Sequence, residues 1–142
     1  MSATDDRLLE LVAGTHRGVL ATIKRDGRPQ LSNVDYAWDA GRRLLRVSSR
    51  DGLAKVANLR RDPRASFHVA AAGGGAYVVL EGTASLSAAA AAPDDATVEE
   101  LVDVYRAVQG EHPDWDDYRR AMVADRRLVI SLVAERWYGW QA

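Results

Sequence analysis

The chain has 142 residues, a formal net charge of -1, 47% hydrophobic and 27% charged residues, and no cysteine. That length and balance fit a single domain over residues 1–142 with a buried core, and they give no electrostatic reason to expect a nucleic-acid partner. Without cysteine there is no disulfide, thiolate nucleophile or Cys-based metal site. No apolar run reaches membrane-spanning length, and Met1–Asp6 lacks the basic and apolar regions of a signal peptide, so the expected location is the cytoplasm, with no membrane partner.

The first predicted element is a helix from about Thr4 to Ala13, with Asp5 and Asp6 in its first turn and Gly14 as its stop. A strand follows over Arg17–Lys24, then a turn at Arg25-Asp26-Gly27-Arg28 and a return strand from about Pro29 to Trp38. A second turn at Asp39-Ala40-Gly41-Arg42 leads into Leu44–Ser49, which would complete a three-strand meander. After Asp51-Gly52 comes a short helix in which Leu53, Val56 and Ala57 share one face while Lys55 and Asn58 point the other way. Asp62-Pro63 ends it.

Strands are expected at about Ala65–Ala71 and Ala76–Leu86, joined by Ala72-Gly73-Gly74-Gly75, and Ala88–Pro93 reads as a connector. Thr97-Val98-Glu99-Glu100 offers a capping box for a helix whose apolar positions include Val98, Leu101, Val102, Tyr105 and Val108. Asp114-Trp115-Asp116-Asp117 starts another helix, and a last strand spans about Arg127–Ala134, ahead of Trp137-Tyr138-Gly139-Trp140. There is no internal repeat. Hairpin-joined strands with interspersed helices predict an antiparallel α+β domain, and a closed or split barrel would protect its sheet edges.

Lys55 is unusual against its background, since 17 of the 19 basic residues are arginine. It sits where an apolar strand ends in Ser48-Ser49-Arg50, turns at Asp51-Gly52 and enters a helix. Helix-start amides, hydroxyls, the Arg50 fork and the Lys55 ammonium together favour a phosphate or carboxylate. The alternative is a short surface helix whose cations serve solubility.

No GxGxxG follows a strand, and neither GxxxxGK[ST] nor GxSxG occurs. His16, His68 and His112 form no local metal-ligand pattern, so no metal is expected. Asp116 and Asp117 read as helix N-terminal charges. Anion-binding groups without an evident acid, base or nucleophile suit a protein whose bound cofactor carries the reaction.

Several segments in order, Gly18-Val19-Leu20-Ala21-Thr22, Asp26-Gly27-Arg28-Pro29-Gln30-Leu31-Ser32-Asn33-Val34, Lys55 with Asn58–Ser66, Glu81-Gly82-Thr83-Ala84 and Gly110–Arg119, carry a further signal. Together they resemble the pyridoxamine 5′-phosphate oxidase-like flavin and deazaflavin oxidoreductases, and within them the actinobacterial group that binds coenzyme F420. The resemblance implies an FMN-binding-type split β-barrel, an α+β homodimer with two cofactor sites at the subunit interface. It implies that Lys55 and Ser48 hold the cofactor's phosphate region, with Arg50 and Asn58 in the same segment. Pro29, Gln30, Ser32 and Asn33 would lie along the ring system, and Tyr77 would reach the site from the partner chain. The activity implied is hydride transfer from reduced F420 to a conjugated small-molecule acceptor.

Two positions depart from that family pattern. Relatives often carry a basic residue where this chain has Leu53, a charge that Arg50 can supply, and an aromatic where it has Gly75. Competing readings are an FMN-dependent oxidase or reductase of the same fold, including a pyridoxamine phosphate oxidase, a non-catalytic F420 carrier or sensor, and a haem binder.

Overall fold

A computed structural model describes residues 3–141, with side chains from Asp5 onward. Met1 and Ser2, which open the segment judged unlike a signal peptide, lie outside the described residues. The chain runs α1 (Ala3–Ala13), β1 (Arg17–Ile23), β2 (Pro29–Asp35), β3 (Ala37–Asp39), β4 (Leu44–Arg50) and α2 (Ala54–Arg61). It continues as β5 (Arg64–Ala70), a 3-10 turn (Ala72–Gly74), β6 (Ala76–Leu86), α3 (Ala96–Gln109), α4 (Trp115–Ala124), β7 (Arg127–Val133) and β8 (Arg136–Gln141).

All strand pairs are antiparallel, and the main path of the sheet is β2-β1-β5-β6-β7-β4-β3, with β8 added to β6. The sheet curls so far that β2 near one edge touches β4 near the other. This is the α+β split barrel. The Arg25–Arg28 turn forms as expected: Gly27 takes φ +89° and donates to Lys24 O, and Asp26 Oδ1 accepts from Arg28 N.

The expected three-strand meander does not form. Tyr36, 1% exposed, interrupts the return strand by turning inward, where its hydroxyl donates to Val12 O and its ring meets Phe67 edge-on at 5.1 Å. Burying that aromatic bends the chain, so β2 stays with β1 while β3 crosses to the far edge beside β4.

Eleven-residue β6 ties the halves together. Its first part, Ala76–Glu81, pairs with β8, and Ala84–Leu86 pairs with β7. Gly82 lies at the change of partner, and a Cβ there would collide with Val133 O. The close backbone approach is therefore open only to glycine. Leu20, Val47, Val56, Phe67, Leu80 and Ile130 fill the barrel. On the other face of β7, Val129 packs under Leu101, Val102 and Met122 of α3 and α4, so β7 is apolar on both sides.

Three further expectations are corrected by tertiary contacts, and the expected connector at Ala88–Pro93 proves closely packed. On α2 the buried side chains are Val56, Asn58 and Leu59, while Ala57 is exposed. The Ala88–Pro93 segment is a packed strap, with Ala90 3% exposed and its N–H on Arg127 O. The cap of α3 is Asp95, which accepts from the amides of Val98, Ala91 and Ala92, and these bonds hold its carboxyl below the usual range. Thr97 is then free to donate to Ala88 O instead. Finally, residues 136–141 form a strand, β8, laid along β6.

Candidate functional site

Strand alternation sends Arg46, Ser48 and Arg50 to one face of β4 and buries Ser49 at 3% exposure on the other. In the β4–β7 register Arg50 opposes Arg127 and Ser48 opposes Val129. Directly opposed residues project to the same side, so Arg127 shares the face of Ser48 and Arg50. Its Nη1 donates to Ser48 Oγ at 3.4 Å, a long bond, and its Nε is buried without a protein partner among the described residues.

Lys55 stands in the first turn of α2, just past the end of β4. Burial, then the positive charges of Arg127 and Arg50, pull its ammonium below the ordinary lysine range. The nearby carboxylate does not relieve this crowding. Asp51 is occupied by Arg60 at 2.8 Å and Arg126 at 3.0 Å, and those bonds hold its carboxyl below the usual range. Among the described residues, Arg50, Lys55 and Arg127 form no ion pair. Three convergent cations with a hydroxyl beside them suit an anion.

A groove of about 420 Å³ opens from this cluster between the sheet and α3/α4. Asn33, Ser48, Gln109, Arg127 and the Arg17-paired carboxylate of Asp35 line its polar side, and Tyr105, Val108 and Met122 its apolar side. Behind that wall Tyr105, His112, Trp115 and Tyr118 pack ring against ring at centroid separations of 5.0–5.6 Å. Tyr118 donates to Leu101 O at 2.9 Å, and burial pushes its phenol up to about 12.

The structure therefore brings Asn33 and Ser48 to one groove and sets Arg50 and Lys55 at its cationic end. Gln30 and Ser32 point to the opposite side of β2 from Pro29 and Asn33. They end a hydrogen-bonded chain: Arg61 donates to Asn58 Oδ1, Asn58 Nδ2 to Thr22 Oγ1, Thr22 to Gln30 Oε1, and Gln30 Nε2 to Ser32 Oγ.

Asn58 departs from its expected orientation. It is 7% exposed, and the buried Thr22 hydroxyl draws it inward, away from the face predicted for Lys55. Pro29 lines a separate groove of about 490 Å³ with Arg64, Glu81 and Arg136, whose charges are matched internally: Arg64 to Asp62 at 2.8 Å and Arg136 to Glu81 at 3.1 Å. That groove is larger, but it has no uncompensated charge to attract an anion. Tyr77 lies on the outer sheet face, stacked on His68 at 5.7 Å and in register with Trp140.

Arg127 and Tyr105 are among the groove residues not legible as site candidates in the sequence. The signal for Arg127 lies in the pairing of β4 with β7, which spacing along the chain does not reveal. At the two departures, Leu53 caps α2 with no side-chain hydrogen bond, and a side chain at Gly75 would enter open space.

A split barrel with an uncompensated cationic cluster beside an elongated groove narrows the family, and the sequence match decides it: residues 4–141 match pyridoxamine 5′-phosphate oxidase. The chain belongs to the pyridoxamine 5′-phosphate oxidase family. Solved structures in this group agree with the fold across nearly the whole chain. A conserved hypothetical protein from Mycobacterium tuberculosis is 27% identical, with a TM-score of 0.73 over 99% of this chain and 85% of its own. An F420 reductase is 22% identical, with a TM-score of 0.69 over 97% of this chain and 98% of its own. A FAD-binding protein from Mesorhizobium loti is 21% identical, with a TM-score of 0.66 over 98% and 92%. These likenesses bear out the fold over nearly the whole chain. No helix among the described residues is long and apolar enough to cross a membrane.

Proposed function

We propose that this member of the pyridoxamine 5′-phosphate oxidase family is a coenzyme F420-dependent oxidoreductase that reduces a conjugated small-molecule acceptor. The observation that carries the reading is the unpaired cluster of Arg50, Lys55 and Arg127 beside Ser48, at the polar end of a groove with an apolar wall. An anionic tail neutralises the cluster while a fused ring uses the groove and the polar side chains of β2. The cofactor, when bound in its reduced form, supplies a hydride from C5 to the acceptor. The chain's part is positioning: Lys55, Arg50 and Ser48 hold the tail, and Asn33 offers hydrogen bonds to ring carbonyls and nitrogens, while Gln30 and Ser32 brace β2 from its other side. Thr22 and Asn58 fix the Gln30 amide in one orientation by the chain of bonds described above.

The working form in this reading is a homodimer. Leu31, Tyr77, Tyr138 and Trp140 are 63%, 36%, 52% and 56% exposed, and strand register sets them on one sheet face. A contiguous apolar face of this kind favours a covering partner. A second copy laid there brings its own Tyr77 toward the paired subunit's cofactor.

The test is spectrophotometric. Reduced F420 is mixed with purified protein and a panel of quinones and enones, and its reoxidation is followed with light scattering on the same sample. Acceptor-dependent reoxidation by a dimer is expected. F420 binding with no turnover across the panel supports the carrier or sensor reading, and turnover with bound FMN supports the flavin reading. A Soret band in the purified protein supports haem.

A further inference from the structure

The α3–α4 unit rests on the barrel through a seat that is mostly polar. Strand alternation points Arg46, Ser48 and Arg50 of β4 and Arg127, Val129 and Ser131 of β7 toward the helices, and only Val129 among them is apolar. The ion pair from this seat to α3, Arg46 with Glu100, is loose at 3.8 Å, and Arg46 Nε is buried without a partner among the described residues. Inside the unit the contacts are tighter. Tyr118 donates to Leu101 O at 2.9 Å, Arg119 pairs with Glu99, and Glu111 accepts from Arg106 and from Trp115 Nε1. The two chain connections of the unit meet at one place. Ser87 N donates to Val129 O and Ala90 N to Arg127 O, while α4 runs through Asp125 and Arg126 into the start of β7. The opposite end of the helix pair is the turn between α3 and α4, where Gly110 takes φ +82°.

We propose that α3 and α4 form one flap, hinged at the start of β7, that closes on a ligand in the groove and draws Glu100 onto Arg46. The inference rests on the groove being the cofactor site of the reading above, but not on which ring is bound. The groove of about 420 Å³ lies between the two bodies, with Val104, Tyr105 and Val108 of α3 on the moving side and Asn33 and Ser48 on the barrel. A bound ring gives the helices the apolar contact that the polar seat withholds, so occupancy favours the closed arrangement. Closure also offers the buried Arg46 Nε the carboxylate acceptor it lacks. A unit with its own core and little apolar grip on its neighbour opens below the global unfolding free energy, as lids do.

The test is independent of turnover. In the apo protein, hydrogen exchange should show the amides of α3 and α4 exchanging together and at least about tenfold faster than those of β4 and β7. FMN and F420 are then added separately, and the position of the flap is read from spin labels at Ala107→Cys on α3 and Lys24→Cys on the barrel. The chain has no native cysteine to compete for the label, and dilution with unlabelled protein restricts the reading to distances within one chain. A bound ligand is expected to slow exchange in both helices and to shift the label separation by more than about 2 Å, while a Lys24→Cys, Arg42→Cys pair within the barrel stays fixed. Glu100→Gln is expected to leave apo exchange within about twofold, since so loose a pair contributes little, and to reduce the protection that the ligand gives α3. Helices that exchange in step with the barrel, or a bound ligand that leaves the labels in place, overturn the flap. A Glu100→Gln variant protected as fully as wild type contradicts the closing pull of Arg46. A shift with FMN but not with F420 sinks the F420 reading and keeps the flap. Protein that binds neither sinks both.

Discussion

Arg50 and Arg127 stand opposite each other across the β4–β7 ladder, like charges in direct register, with Lys55 close enough to be depressed by both. Like charges directly opposed in a sheet are destabilising, and Asp51, the carboxylate next to Arg50 in the chain, is bound to Arg60 and Arg126. The apo fold therefore carries an electrostatic cost at this point that an anionic ligand relieves, a pattern common at binding sites.

The first prediction separates binding from stability. Lys55→Met removes one of three crowded cations, so the apo protein gains stability, by roughly 1–3 °C in Tm for a weak, half-screened interaction in a domain of this size. The same change weakens F420 by about 1.5–3 kcal/mol, roughly 10- to 150-fold. Thermal melts of the apo protein and ligand titrations check the two halves. A fall in apo Tm together with unchanged affinity contradicts both.

The depressed Lys55 ammonium also sets a pH dependence. Its apo value lies below the ordinary 10.5, and an adjacent anion raises it again in the complex. Binding is thus strongest below the apo value, where Lys55 is already charged. Affinity declines as pH rises from there toward the complex's value, because binding must then take up a proton. Proton uptake measured calorimetrically in buffers of different ionisation enthalpy should appear on the alkaline side and vanish in Lys55→Met.

Tyr118 gives a stability prediction independent of any ligand. Its phenol is raised from 10 to about 12 in the fold, so the stability it contributes is whole below pH 10 and is lost as pH rises from 10 toward 12, where only the unfolded chain ionises. Tyr118→Phe leaves Leu101 O without its side-chain donor and costs about 0.5–1.5 kcal/mol at neutral pH. Denaturant midpoints at neutral and alkaline pH should show the variant less stable near neutrality and less sensitive to alkali.

Gly82→Ala tests the barrel corner. The added methyl meets Val133 O, a backbone atom held in the β4–β7 ladder, and cannot be relieved by a side-chain rotation. A loss of about 1–3 kcal/mol or more follows. Gly75→Ala, with nothing within 4 Å of the new atom, serves as the matched control and should stay within about 0.5 kcal/mol in a melt.

Much of this arrangement was legible in the sequence where short-range chemistry governs. Gly27 marked the first hairpin and Asp62-Pro63 the end of α2, whereas the hydroxyls of Ser48 and Ser49, read together as part of one cradle, are split between the two faces of β4. The misses have tertiary causes. Tyr36 breaks a continuous strand signal only because Phe67 and Val12 O receive it inside the barrel. Asn58 turns inward because β1 offers it the Thr22 hydroxyl, and Asp95 displaces Thr97 as cap because the strap before α3 supplies two further amides. Residues 136–141 read as a terminal aromatic cluster until Gly139 lets β8 lie against Tyr77 O. Of the cationic cluster, Lys55 and Arg50 are neighbours in sequence, but Arg127 joins them only through strand pairing.

The most direct measurement is a parallel titration of the apo protein with F420 and FMN, followed by quenching of its four tryptophans with inner-filter correction. Saturable, tight quenching by F420 and binding of FMN weaker by roughly tenfold or more are expected. Tighter binding of FMN, or no binding of F420, contradicts the F420 reading.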